Sequence, residues 1–150
     1  MGFDLSGMNP NLTRPQPELP PMTERTDKHW EKYHKWQDEN CGTYFRNNVW
    51  WWRPLWHFVT GACDNILTEK DIEQGSWNDG HKICKTKADK IAKKLFKMIG
   101  SGQVKEYESE YKKYIKGLGK DDWDKSYPFS EENVREFANF CANSGGFTIC

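Results

Sequence analysis

The segment that most constrains the fold is YFRNNVWWWRPLWHFV, residues 44–59, which contains four of the eight tryptophans. A helix over residues 44 to 66, at about 100° per residue, carries two neighbouring lines of apolar side chains. The first line is Phe45, Val49, Trp52, Trp56, Val59 and Cys63, and the second is Trp51, Leu55, Phe58 and Ala62. A helix that is apolar around most of its circumference belongs inside a core. We therefore expect it to be the centre of the fold, with a kink or break near Pro54, which lacks a backbone N–H.

The remaining face of this helix carries Arg46, Trp50, Arg53 and His57. Two interpretations stay open. In the structural one, arginine stems cover tryptophan rings and the charged heads reach solvent. In the other, the stripe is a pocket wall, where guanidinium groups bind phosphate or carboxylate and an indole stacks on a flat ring.

The length of the chain indicates one domain over residues 1–150, because 150 residues are enough for a single core. Lys+Arg and Asp+Glu are equal at 22 each, so no net charge drives general nucleic-acid binding. No apolar run approaches a membrane span, and no signal peptide is recognisable. Five widely spaced cysteines then indicate free thiols in a reducing cytoplasm. No metal-ligand spacing is present, so we expect neither a metal nor a cofactor.

The rest of the chain predicts a mainly α fold, a single-domain bundle of five or six helices around the tryptophan-rich one. Residues 9–22 contain five prolines and predict an extended arm. The segment 86–99 predicts an amphipathic helix with lysines along one side. This side of the helix is either simply solvated or attracts an anionic partner. Short apolar segments at the two ends, Phe3–Leu5 and Phe147–Ile149, suggest a small two-stranded β pair.

A polar cluster follows Trp77, formed by Asn78, Asp79 and His81 around Gly80. One interpretation is an acid/base pair of Asp79 and His81, joined by His57 in a hydrolase. The other is a tight turn, for which the Asn-Asp-Gly sequence is typical. No recognised catalytic motif supports the first, so we do not expect an enzyme.

Three blocks carry a resemblance: MGFDLSGMNP at the start, YFRNNVWWWRPLW at residues 44–56 and WNDGH at residues 77–81. In these blocks the chain resembles uncharacterised small proteins of bacteriophage and bacterial genomes. The resemblance extends over residues 1 to about 97. The resemblance implies a cytoplasmic setting in a bacterial host cell. A phage setting further implies interference with host defence, for example by sequestering a nucleotide signal.

The leading functional hypothesis is a non-enzymatic protein that binds a small, nucleotide-like anion. The predicted ligand-binding residues are Arg46, Asn47, Trp50, Arg53, His57, Trp77, Asn78, Asp79 and His81. The alternative is a protein-interaction module that inhibits a host protein through the proline-rich arm and exposed rings. A hydrolase that uses His57, Asp79 and His81 is the third hypothesis. Neither ligand identity nor association into a homo-oligomer follows from the sequence.

Overall fold

The computed structural model describes residues 1–150 as four β-strands and six α-helices. The strands are β1 Gly2–Gly7, β2 Tyr44–Asn48, β3 His81–Cys84 and β4 Gly146–Ile149. The helices are α1 Asp27–Glu39, α2 Val49–Ala62, α3 Glu69–Gln74, α4 Lys85–Gly100, α5 Gln103–Gly117 and α6 Glu131–Asn143. Two 3-10 turns lie at Met22–Glu24 and Trp123–Ser126. None of the helices combines the length and apolar character needed to cross a membrane.

The prediction of a mainly α bundle with a two-stranded pair is wrong. Helices hold 56% of the residues, but a four-stranded antiparallel sheet holds another 13%, so the fold is mixed α and β. β1 does pair with β4, with Leu5 opposite Ile149. These two strands are the centre of a sheet in the order β2-β1-β4-β3, not an isolated pair.

The two strands that the sequence pattern did not predict, β2 and β3, are both short. β2 was predicted as the first turns of the central helix, because Phe45, Val49 and Trp52 have helical spacing. In the structure the helix begins only at Val49, where the Asn48 side chain accepts a hydrogen bond from the Trp51 N–H at 3.1 Å. β3 has a single fully buried residue, Ile83, so its alternation is too short to recognise.

One face of the sheet is apolar and packs against helices α2, α4 and α6. Its buried residues are Phe3, Leu5, Phe45, Ile83, Phe147 and Ile149. Because side chains alternate along a strand, the other face carries polar residues, including Asp4 and Arg46. The sheet therefore has one solvated face and one core face, as antiparallel sheets commonly do.

Aromatic rings of α2 form the middle of the core, as expected for this segment. The Trp52 ring is fully buried and stacks between Phe3 and Trp56, with centroid distances of 5.3 and 5.2 Å. Its indole N–H donates to the Gly75 carbonyl at 2.9 Å, which ties α2 to the end of α3. α2 is continuous through Pro54, so no break occurs there.

The proline-rich arm, residues 9–22, is held by backbone groups. The Asn9 N–H donates to Ser144 at 3.0 Å, and the Asn11 N–H donates to Asn143 at 2.8 Å, both at the end of α6. The Trp36 indole of α1 donates to the Arg14 carbonyl at 3.0 Å. The arm is therefore an ordered connection between the sheet and α1.

Candidate functional site

A cavity of about 640 Å³ lies between α2 and α5, and the segment that follows α5 also contributes to its lining. This volume is within the ~300–1,000 Å³ typical of small-molecule sites. We call the cavity the tyrosine groove. Its lining residues are Arg53, Pro54, His57, Tyr107, Glu110, Tyr111, Tyr114, Asp124 and Tyr127.

Helical spacing places most of these side chains. Arg53 and His57 are four residues apart in α2, so they lie on the same side of that helix. Tyr107, Tyr111 and Tyr114 follow the i, i+4, i+7 pattern in α5 and form the opposite wall. Tyr107 also anchors α5, because its ring packs against Phe58 of α2 at 4.8 Å between centroids.

Tyr127 joins the two walls. Its hydroxyl accepts a hydrogen bond from Nη1 of Arg53 at 2.9 Å, and the guanidinium lies 5.9 Å from its ring centroid. Its carbonyl accepts a hydrogen bond from the Tyr111 hydroxyl at 2.7 Å. Its ring contacts the Trp50 indole, with centroids 5.1 Å apart. Arg53 is thus held in a defined position by an aromatic neighbour.

The groove has a cation on one wall and acids on the other. Arg53 belongs to the α2 wall, beside His57, whereas Glu110 and Asp124 belong to the other side. No ion pair within 4.0 Å joins Arg53 to a carboxylate. Its guanidinium therefore keeps donors free for a ligand.

The tyrosine hydroxyls of α5 are neutral at physiological pH. Burial, followed by the neighbouring Tyr107 and Asp124, raises the pKa of Tyr111 to about 12. Burial also raises the pKa of Tyr107, and the charge of Asp124 is the main reason that the pKa of Tyr114 is raised. These side chains can stack on a ligand and exchange hydrogen bonds, but they do not supply a base at neutral pH.

Two of the predicted ligand-binding residues, Arg53 and His57, line this groove. Trp50 does not line it but contacts one of its lining residues, Tyr127. Arg46 lies on the solvated face of the sheet, where its Nε is 3.5 Å from Asp4. Asn47 points the other way and exchanges two hydrogen bonds with Asn133 of α6, at 2.8 and 3.1 Å. Arg46 and Asn47 are separated from the groove because they lie on a strand, not on the predicted helix.

The other predicted residues lie in the segment after α3 and at the start of β3. Trp77 is 57% exposed and Asp79 is exposed without a hydrogen bond, while the Asn78 amide donates to the Gly2 carbonyl at 3.3 Å. His81 is bound to Asp71, with 2.8 Å between Nε2 and Oδ1. No hydrogen bond joins Asp79 or His57 to His81. The three residues of the hydrolase hypothesis therefore do not form one hydrogen-bonded cluster.

Asp71 has a second role in addition to the helix capping that its sequence position indicates. Thr68 and Asp71 have the spacing of a capping box, and the box is present at the start of α3. The buried carboxylate also accepts hydrogen bonds from His81 and Lys87. Burial alone would raise the pKa of Asp71, but these donors and Thr68 outweigh it and hold the pKa well below its usual range. The cluster links α3, β3 and α4 and contains no hydroxyl or thiol nucleophile bonded to His81.

The tyrosines of α5 recur at helical spacing in a helix that also contains acidic residues, and this is the sequence signal that could have indicated the groove. Tyr127 and Asp124 lie in an irregular segment, where no periodicity indicates their position. The structure has no group of three or more His, Cys, Asp or Glu side chains arranged to hold a metal ion. Comparisons with protein-family models, curated proteins and solved structures gave no match.

Proposed function

We propose that the protein is a non-enzymatic binder of a small planar ligand with one anionic group, of nucleotide-like chemistry, and that the tyrosine groove is its site. The observation that carries this proposal is Arg53, which is held against Tyr127 beside three further tyrosines and has no carboxylate partner. The position combines aromatic surface with an available cation.

The tyrosines supply the stacking surface. Tyr114 is 54% exposed and lies one helical turn from Tyr111, so its ring is accessible from the groove. A base stacked on an aromatic side chain contributes about 1–3 kcal/mol. Stacking tolerates different bases, so it defines a class of ligand and not one molecule.

The charges restrict that class further. Arg53 uses Nη1 for Tyr127, and its other N–H groups remain available for one phosphate or carboxylate. Glu110 and Asp124 accept hydrogen bonds, so they suit sugar hydroxyls or a ring amino group. Their negative charges disfavour a chain of phosphates. We therefore expect a nucleoside monophosphate or cyclic mononucleotide to bind more tightly than a triphosphate.

Native mass spectrometry of the protein as purified from cells, followed by calorimetric titration with nucleosides, mono- and triphosphates and cyclic nucleotides, tests the proposal. Arg53→Ala should weaken binding about 10- to 100-fold, because a hydrogen bond to a charged group contributes about 1.5–3 kcal/mol. Arg46→Ala is the matched control, since Arg46 lies outside the groove. Tyr114→Ala is a second, exposed position that tests stacking.

A panel with no binding ligand and no co-purified small mass would contradict the proposal and favour the protein-interaction module. Equal losses in Arg46→Ala and Arg53→Ala would contradict the assignment to the groove.

A further inference from the structure

Charge is unevenly distributed along this neutral chain. Residues 81–100, which form β3 and α4, contain seven lysines and one acid, so this segment carries +6 and the rest of the chain carries −6. The only acid within it, Asp89, is already paired with Lys85. Net neutrality therefore conceals a strongly cationic element, and a local field of this kind acts on partners within about one Debye length.

Five of these lysines share one side of α4. At about 100° per residue they lie within roughly a third of the helix circumference, and they extend over ten residues, about 15 Å. They are Lys87, Lys90, Lys93, Lys94 and Lys97. Lys87 is engaged by the buried Asp71. The other four are exposed and make no ion pair within 4.0 Å, and we call them the lysine face.

This arrangement does not favour folding. Lys90 and Lys94 are four residues apart, as are Lys93 and Lys97, and like charges at this spacing destabilise a helix. By contrast, α5 contains three acids as well as four lysines, and Lys112 pairs with Glu108. The lysine face is thus a feature that the stability of α4 does not explain.

The opposite side of α4 limits the class of partner. Ala88, Ile91 and Leu95 are completely buried in the core, so the helix has no free apolar side to insert into a lipid surface. Phe96, the one large exposed apolar residue of α4, lies off the lysine face. Protein interfaces are depleted in lysine and built around apolar anchors, whereas lysines are typical contacts to phosphates of nucleic acid.

We propose that the lysine face of α4 is a second binding surface, which contacts the phosphate backbone of a nucleic acid without reading its sequence. The prediction of no general nucleic-acid binding was based on the net charge of the whole chain. The proposal differs from it because the positive charge is concentrated in one element. The proposal is independent of the tyrosine groove.

The test is fluorescence anisotropy of the full chain with labelled 25-nucleotide single-stranded and 25-base-pair double-stranded DNA of mixed sequence, titrated with salt. Four phosphate contacts on a duplex predict a slope of log K against log salt of about −3.6, roughly a 150-fold loss between 50 and 200 mM. A variant with Lys90, Lys93, Lys94 and Lys97 all changed to Gln should lose most of the binding and most of the slope.

The matched control changes four exposed lysines of α5, Lys105, Lys112, Lys113 and Lys116, to Gln. It alters the net charge by the same amount but leaves the lysine face intact, so binding should be kept within about threefold. Circular dichroism should show both variants folded, since exposed lysines were replaced by a good helix former. No DNA binding by the parent at 50 mM salt, or equal losses in the two variants, would overturn the proposal. Equal binding of polyglutamate and DNA would overturn the nucleic-acid assignment in favour of an acidic protein.

Discussion

Asp71→Asn removes the charge that links α3 to β3 through His81 and to α4 through Lys87. The Asp71 side chain is 5% exposed, so solvent cannot replace the lost interactions. Asn has nearly the same shape but keeps only one acceptor oxygen and places an NH₂ group near the remaining donors. The substitution therefore tests the charge and its hydrogen bonds with little change in packing.

The magnitude follows from the number of bonds. Asp71 accepts from His81 at Oδ1 and from both Lys87 and the Thr68 N–H at Oδ2. The single oxygen of Asn can replace only one of these two sites, and any bond that it keeps is to a neutral acceptor. A hydrogen bond to a charged group contributes about 1.5–3 kcal/mol, and partial compensation is usual. We expect the free energy of unfolding at pH 7 to fall by about 2–4 kcal/mol.

The loss should depend on pH in a defined direction. The pKa of Asp71 is well below its usual range in the folded protein, and the carboxyl group titrates near 3.8 in the unfolded chain. Its contribution is therefore complete above about pH 5. It declines as the pH falls through 3.8, because the unfolded chain then takes up a proton. At pH 3 the difference between parent and variant should be smaller by about 1 kcal/mol.

Urea unfolding followed by tryptophan fluorescence, at pH 7 and pH 3, measures both effects. Asp89→Asn is the control, because Asp89 is paired with Lys85 at the surface and should change stability by less than about 1 kcal/mol. The reasoning is refuted if Asp71→Asn is as mild as Asp89→Asn at pH 7, or if its effect is equally large at pH 3.

Further predictions concern close packing and the thiols. Gly75→Ala should destabilise the protein by about 1–3 kcal/mol, because a Cβ there would lie 2.1 Å from the Trp56 ring. Gly61→Ala should instead raise the melting temperature, because a Cβ at that position would have no atom within 4 Å. Burial raises the pKa of Cys63 to about 11 and that of Cys141 well above its usual value, so a disulfide reagent at pH 8 should label three thiols in the folded protein and five in denaturant. Cys84 and Cys150 should react fastest, and Cys41 more slowly, because partial burial also raises the pKa of Cys41.

Helices that are amphipathic over several turns were predictable. One such helix is α6, Glu131–Asn143, which Ser130 caps and in which Val134, Phe137, Ala138 and Cys141 recur at helical spacing and are buried. α4 was also recognised, since Ala88, Ile91 and Leu95 recur at helical spacing and are buried. In such segments the local pattern and the tertiary environment agree, so neighbouring residues carry the information.

The sheet was not predictable in the same way, because its partners are far apart in the chain. β2 has five residues and β3 has four, and only pairing with β1 and β4 distinguishes them from a helix start or a loop. The same limit applies to the groove. Arg53 and His57 were associated because they share a helix, whereas Tyr127 joins them only through tertiary contacts.

The position of β4 has a consequence for how the chain assembles during synthesis. β4 is the last of the four strands along the chain, yet it lies between β1 and β3, with Leu5 opposite Ile149. β1 and β2 can pair early, but β3 has no neighbour until β4 leaves the ribosome. Such long sequence separations slow folding, and translation at about 5–20 residues per second adds several seconds. During that interval the open edges of β1 and β3 are available to chaperones or to another nascent chain.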